Sequence, residues 1–254
     1  MSLLDYKKNI FSQNGEDGIL NTIFNNLGIT SGTFFEFGAA DGVWCCNTRA
    51  FVLHGWKGLY VEPDDNSFQK LLANTNGYPV ICRNQYVESS GPLSIENHWS
   101  KAVSELSLPS DELDFLSIDV DGFDDELLES IDTLRPKVIM VEVNAGHHPL
   151  YSSRISREIA ANNVGQSMYV MTTIIANKGY LPVCYTGNLI FVHESVIEPV
   201  SHYVKSLEEM YTDFWVRLDS NAKSHLKKTF IDTNGLYNGF VFDITFLKML
   251  FAKY

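Results

Sequence analysis

The stretch Thr33-Phe34-Phe35-Glu36-Phe37-Gly38-Ala39-Ala40-Asp41-Gly42 constrains the fold more than any other part of this 254-residue chain. Phe34, Phe35 and Phe37 make a short, almost continuous apolar run, as expected of a strand buried on both faces of a parallel sheet. Gly38 and Gly42 then let the backbone turn tightly and approach a ligand closely. Twenty residues past Gly42 a second apolar run, Gly58-Leu59-Tyr60-Val61, ends in Glu62. A carboxylate there can accept both hydroxyls of a ribose. Either half alone fits an ordinary strand-to-helix turn. Together they favour a bound nucleoside.

Strand and helix patterns alternate from there. Ile19, Leu20, Ile23, Phe24 and Leu27 form one helical face that stops at Gly28. The polar run before it, Ser12-Gln13-Asn14-Gly15-Glu16-Asp17, either caps that helix with acid in its first turn or leans over the pocket. Asn47 is an N-cap for a helix carrying Ala50 to Leu53. A helix over 67–72 and a strand over 79–82 come next, and 87–110 reads as a polar loop with at most one short helix. Strand four, 113–118, runs into Asp119-Val120-Asp121-Gly122, and a helix carrying Leu127, Leu128, Ile131 and Leu134 is stopped by Pro136. Asp124 and Asp125 read as caps of that helix. Strand five, 138–141, ends in Glu142-Val143-Asn144 and leads to His147 and His148. Helices between strands imply βαβ units, and ligands of such sheets sit beyond the carboxyl ends of the strands. A helix from Gln166 to Gly179, a hairpin over 180–193 and an aromatic-rich, helical tail complete the chain.

Charge narrows the partners. Against 31 Asp and Glu stand 19 Lys and Arg, a net charge of -12, which argues against nucleic acid and anionic membranes. The most apolar segment, 240–252, is broken by Asp243 and Lys248 and is too short to span a bilayer. Four cysteines in no metal-ligand spacing, and an N-terminus without a signal-like apolar core, lead us to expect reduced thiols in a cytoplasmic protein.

Several of these segments, taken together, resemble the FkbM-type branch of class I S-adenosylmethionine-dependent methyltransferases. They are Ser12-Gln13-x-Gly15-Glu16-Asp17, Phe35-Glu36-Phe37-Gly38-Ala39-x-Asp41-Gly42, Asn47-Thr48, Gly55-Trp56-x-Gly58, Val61-Glu62-Pro63 and Ser117-Ile118-Asp119-Val120-Asp121-Gly122. The resemblance covers roughly residues 10 to 195, with Ala40 in place of the usual middle glycine. It implies a Rossmann-like α/β domain over 1–195, with a mostly parallel seven-stranded sheet and a final antiparallel hairpin. Residues 196–254 then form a helical extension packed on it.

For the site, the resemblance implies that Glu36, Gly38, Ala39, Asp41, Gly42, Asn47 and Thr48 belong to the cofactor loop. Glu62 and Pro63 take the ribose, and Asp119 borders the transferred methyl group. The acceptor implied is a small-molecule or glycan hydroxyl. Its base is one of Asp119, Asp121, His147 and His148. Residues two apart in extended chain share a side. Asp119 with Asp121 and Glu142 with Asn144, on neighbouring strands, therefore offer oxygens suited to Mg2+. A solvated acidic loop is the alternative. Arg154 or Arg157 is a candidate for holding an anionic acceptor group, and surface solvation serves equally. A nicotinamide-dependent oxidoreductase and a non-catalytic nucleoside-binding module stay open, as does a homodimer built on the tail.

Overall fold

The computed structural model describes residues 1–144, 147–156 and 165–217 and the paired segments 236–237 and 240–241. Arg157, Glu158, the helix expected over 220–230, the Asn234-Gly235 turn and the amphipathic end lie outside the described residues.

Seven strands form one sheet: β1 Thr33–Phe37, β2 Lys57–Val61, β3 Val80–Arg83, β4 Phe115–Ile118, β5 Val138–Glu142, β6 Tyr180–Tyr185 and β7 Asn188–His193. Their spatial order is β3-β2-β1-β4-β5-β7-β6. β1 to β5 are parallel, and β7 inserts antiparallel between β5 and β6. This is the Rossmann-like class I methyltransferase fold. The order reverses between β1 and β4, which places the ligand crevice beyond their carboxyl ends.

Strand alternation divides the core into two layers. Phe35, Phe37, Leu59, Val61, Leu116, Ile118, Ile139 and Val141 face one side, packed against helices α4 (Ile95–Glu105), α5 (Asp124–Ser130) and α6 (Met168–Ala176). Phe34, Tyr60, Phe115, Val138 and Met140 face the other, against α1 (Glu16–Asn26), α2 (Arg49–Leu53) and part of α3 (Asp65–Thr75). The tail begins as a 3-10 turn, Glu198–Tyr203, and continues as α7, Leu207–Arg217, where one helix was expected over 200–211. Tyr211 stacks on Tyr185 at 5.8 Å, and Phe214 meets the same ring edge-on at 5.0 Å, so α7 closes over β6. Segments 236–237 and 240–241 pair antiparallel.

Three local expectations are corrected. The segment 87–110, expected to be a polar loop with at most one short helix, carries α4, an eleven-residue helix capped by Ser94, whose side chain accepts from the Asn97 N–H at 3.3 Å. Ile95, His98, Trp99 and Ala102 are its buried face, and the polar residues between them point outward. Second, α5 ends at Ser130, well before Pro136. The Glu96 carboxylate accepts the backbone N–H groups of Asp132, Thr133 and Leu134 at 2.5–3.1 Å, which holds that segment out of the helix. Third, Asn47 does not cap α2. Thr48 occupies the N-cap position without a side-chain cap.

Candidate active site

Register aligns the carboxyl ends of the strands. Phe37 pairs with both Val61 and Ile118, and Ile118 pairs with Val141. The residues that follow these four are Gly38, Glu62, Asp119 and Glu142, one row across the switch point. They border an open cleft of about 890 Å3. Its other walls come from Gln13, from Trp44 and Cys45, from the loop 85–90 after β3, and from Asp121, Phe123 and Glu126.

The turn after β1 is sterically determined. Gly38 has φ +72°, and a Cβ on it would lie 1.7 Å from the Asp119 carbonyl oxygen. Only glycine lets β1 and β4 close this tightly at their ends. At Gly42, with φ +70°, a Cβ would meet Leu71 Cδ1 at 2.5 Å. Asp41 fastens the same turn by accepting the N–H groups of Val43 and Trp44 at 2.9 and 2.8 Å.

Glu62 is positioned by backbone. One carboxylate oxygen accepts the Ala40 N–H at 2.7 Å and the other the Asp64 N–H at 2.8 Å. Each oxygen keeps a further lone pair. The carboxylate is thus preorganised at the cleft wall with acceptor capacity for two hydroxyls.

Glu36, by contrast, lies under the loop at 3% exposure and does not border the cleft. One of its oxygens accepts the Asn47 N–H at 3.0 Å, and the other takes the Thr48 hydroxyl and the Cys46 thiol. The Tyr60 hydroxyl is 2.8 Å from Thr48 Oγ1, and Asn47 donates to Ser117 Oγ at 3.4 Å. Burial raises the Glu36 pKa, and these hydrogen bonds offset part of the rise. Ala39, Asn47 and Thr48 are likewise buried, so Glu36, Asn47 and Thr48 shape the loop from beneath.

The acids after β4 and β5 behave differently. Asp119, Asp121 and Glu142 each offer an oxygen within 4.8 Å of the others. Among the described residues, no hydrogen-bond donor reaches these three carboxylates. Burial, and then the charges of Glu142, Asp124 and Asp121, push the Asp119 pKa up to about 8. Glu142 is pushed up to about 7, by burial and then by Asp124 and Asp121. Asp121 sits at φ +54°, and its loop is pinned by Asp124, which accepts the Val120 and Gly122 N–H groups at 3.0 Å each. Asp124 therefore folds back on the loop instead of occupying the N-cap. Asp125 receives Arg154 Nε at 2.6 Å and Gln166 Nε2 at 3.2 Å. Arg154 also bonds Glu129 at 2.8 Å, so its guanidinium is engaged between two carboxylates.

Asn144, His147 and His148 do not border this cleft. The Asn144 N–H bonds the Gln166 carbonyl at 2.8 Å, and His147 is buried with its ring stacked on Tyr151 at 5.2 Å. Burial lowers the His147 pKa to about 4. His148 Nδ1 accepts the Leu150 N–H at 3.1 Å. Sequence reasoning passed over the loop after β3, whose Gln85, Tyr86 and Glu88 form one wall of the cleft. The signal was its position at the carboxyl end of a strand in a doubly wound pattern.

No family model and no curated protein matches the chain. Among solved structures, WbdD aligns at a TM-score of 0.45 with 12% identity, over 76% of this chain and 48% of WbdD, so the chain spans about half of that protein. A SAM-dependent methyltransferase from Aquifex aeolicus aligns at 0.41 and 13%, over 68% of this chain and 86% of that one. The CurJ carbon methyltransferase aligns at 0.42 and 11%, over 69% and 52%. These likenesses concern the fold alone.

Proposed function

We propose that the chain is an S-adenosylmethionine-dependent methyltransferase of the FkbM-type branch that methylates a hydroxyl of a small molecule or sugar. The observation that carries this reading is the row Gly38, Glu62, Asp119 and Glu142 beside one cleft at the switch point. The cleft's volume falls within the ~300–1,000 Å3 usual for small-molecule sites. The donor set fits the cofactor. Glu62 offers two held oxygens to ribose hydroxyls, and the carboxylates at the ends of β4 and β5 suit a positive charge between them.

When bound, S-adenosylmethionine supplies a methyl group on positively charged sulfur, which leaves as a neutral thioether as the acceptor oxygen bonds the carbon. Glu62 fixes the nucleoside, and the glycine turn lets backbone approach it. Asp119 or Glu142 takes the hydroxyl proton. Their raised pKa values, about 8 and about 7, match a base working near neutrality. Positioning is worth roughly 7 to 11 kcal/mol of the barrier, more than the base supplies. Asp119, Asp121 and Glu142 are also the residues that would hold Mg2+, whose charge would relieve their mutual repulsion and lower an acceptor's pKa.

Thermal melts test the cofactor. S-adenosylhomocysteine at a hundred times its Kd stabilises by about 2.7 kcal/mol, a shift of about 5 to 10 °C for a chain this size. NADH is expected to give no shift. The reverse pattern removes the reading.

A further inference from the structure

α1 starts after Gly15 without a side-chain cap, although Glu16 and Asp17 stand in its first turn. Both carboxylates reach back to the loop before the helix. Asp17 Oδ2 accepts the N–H groups of Ile10, Phe11 and Ser12 at 2.8–2.9 Å and the Ser12 hydroxyl at 2.6 Å. Glu16, fully buried, accepts the Asn14 N–H at 2.7 Å on one oxygen and the Thr186 hydroxyl at 2.6 Å on the other. The backbone carbonyl of Gln13 accepts from Asn9 Nδ2 at 2.8 Å. Residues 12, 13 and 14 are thus fastened one after another. The Gln13 side chain is exposed, borders the cleft and has no hydrogen-bond partner among the described residues.

Topology sets which part of a ligand Gln13 meets. Glu62 follows β2, and the row continues through Gly38 and Asp119 to Glu142. Thr186, which holds Glu16, lies in the turn between β6 and β7, and Asn188 of that hairpin pairs with Glu142. The Gln13 loop is therefore tied to the end of the row farthest from the ribose acid. S-adenosylmethionine carries a carboxylate beyond its sulfur, and beside Asp119 and Glu142 that charge is repelled unless a donor meets it. No Lys or Arg lines the cleft among the described residues. The side-chain donors Ser67, Gln85, Tyr86, Ser89 and Ser90 follow β2 and β3, on the nucleoside side, and Trp44 and Cys45 follow β1. Across the row from them, the donor is the Gln13 carboxamide.

Building on the methyltransferase reading, we propose that the Gln13 side chain donates to the carboxylate of the cofactor's amino-acid part, with Glu16 and Asp17 as positioning residues. A loop fixed before binding loses little freedom when the ligand arrives, so the contact is preorganised. Gln13 adds nothing to adenosine binding, which Glu62 carries from the other end.

The test is calorimetric titration of the full chain with three adenosine thioethers. These are S-adenosylhomocysteine, 5′-(3-aminopropylthio)-5′-deoxyadenosine, which lacks the carboxylate, and 5′-methylthioadenosine, which lacks the whole amino-acid part. Gln13→Ala is expected to weaken S-adenosylhomocysteine about tenfold or more, through the loss of a hydrogen bond to a charged group, and to leave the other two unchanged. Thr186→Val removes a bond to Glu16 at a residue that does not line the cleft. It should give a smaller loss of the same pattern, about two- to fivefold. Weakening of all three ligands alike by Gln13→Ala, or no weakening of any, overturns the proposal. The native chain is titrated first. If it binds neither S-adenosylhomocysteine nor 5′-methylthioadenosine, the methyltransferase reading fails. If it binds both and Gln13→Ala changes neither, only the role of Gln13 fails.

Discussion

Two groups of acids lie on either side of the β1 turn, one buried and one bordering the cleft, and they are built on opposite rules. Beneath it, both oxygens of Glu36 are matched by Asn47, Thr48 and Cys46. Above it, Asp119, Asp121 and Glu142 face one another, with no donor reaching them among the described residues. Burial raises pKa values in both groups, but around Asp119 the neighbouring carboxylates add to the rise, and around Glu36 hydrogen bonds oppose it. A buried acid whose oxygens are satisfied maintains the loop. Acids that repel one another are costly to the empty protein and are relieved by a cation, as expected of a binding site.

The sharpest way to break the comparison is to remove an acid from each group. Glu36→Ala strands the Asn47 N–H and the Thr48 hydroxyl and should cost about 3 kcal/mol, read as a melting temperature lower by about 6 to 12 °C. Asp119→Asn should act in the opposite direction. Asp119 holds its proton to about pH 8 when folded and to 3.8 in its ordinary state, so the folded chain binds more protons between those values and loses stability as pH rises through them. The variant should therefore melt about 2 to 4 °C higher than the native chain at pH 8.5, with no difference near pH 4. A lower melting temperature at pH 8.5 contradicts the repulsion. The same variant should lose at least about a hundredfold in methyl transfer if Asp119 is the base.

Magnesium gives a smaller effect of the same origin. At ten times its Kd it should stabilise the native chain by about 1.4 kcal/mol at pH 8, and less at pH 5, where Asp119 and Glu142 are protonated. Asp119→Asn should remove the response. The smallest expected change is Thr48→Val, about 1 kcal/mol from one lost hydrogen bond to Glu36, measured by urea denaturation, with cofactor binding intact.

The row at the strand ends was legible in the sequence because short apolar runs make their ends visible. Phe37, Val61, Ile118 and Val141 each precede the residue that borders the cleft. What the sequence hid depends on contacts between distant segments. Glu36 stands two residues before Gly38 and reads as a cofactor contact, yet it is buried beneath the turn and accepts the Asn47 N–H of the loop that follows. α4 was expected as no more than one short helix in a polar loop, although Ile95, His98, Trp99 and Ala102 keep helical spacing. His98 is buried, with its Nε2 3.2 Å from the Tyr86 carbonyl. His147 looked like a base in a loop, and only the fold lays it against Tyr151.

The most direct measurement is a calorimetric titration of the native chain and of Glu62→Ala with S-adenosylhomocysteine, with NADH in parallel. We expect one site per chain for S-adenosylhomocysteine, weakened at least about a hundredfold by Glu62→Ala because two hydrogen bonds to a charged acceptor are lost. No heat for NADH is expected. Binding of NADH alone, or binding of S-adenosylhomocysteine that Glu62→Ala leaves unchanged, would contradict the placement of the cofactor in this cleft.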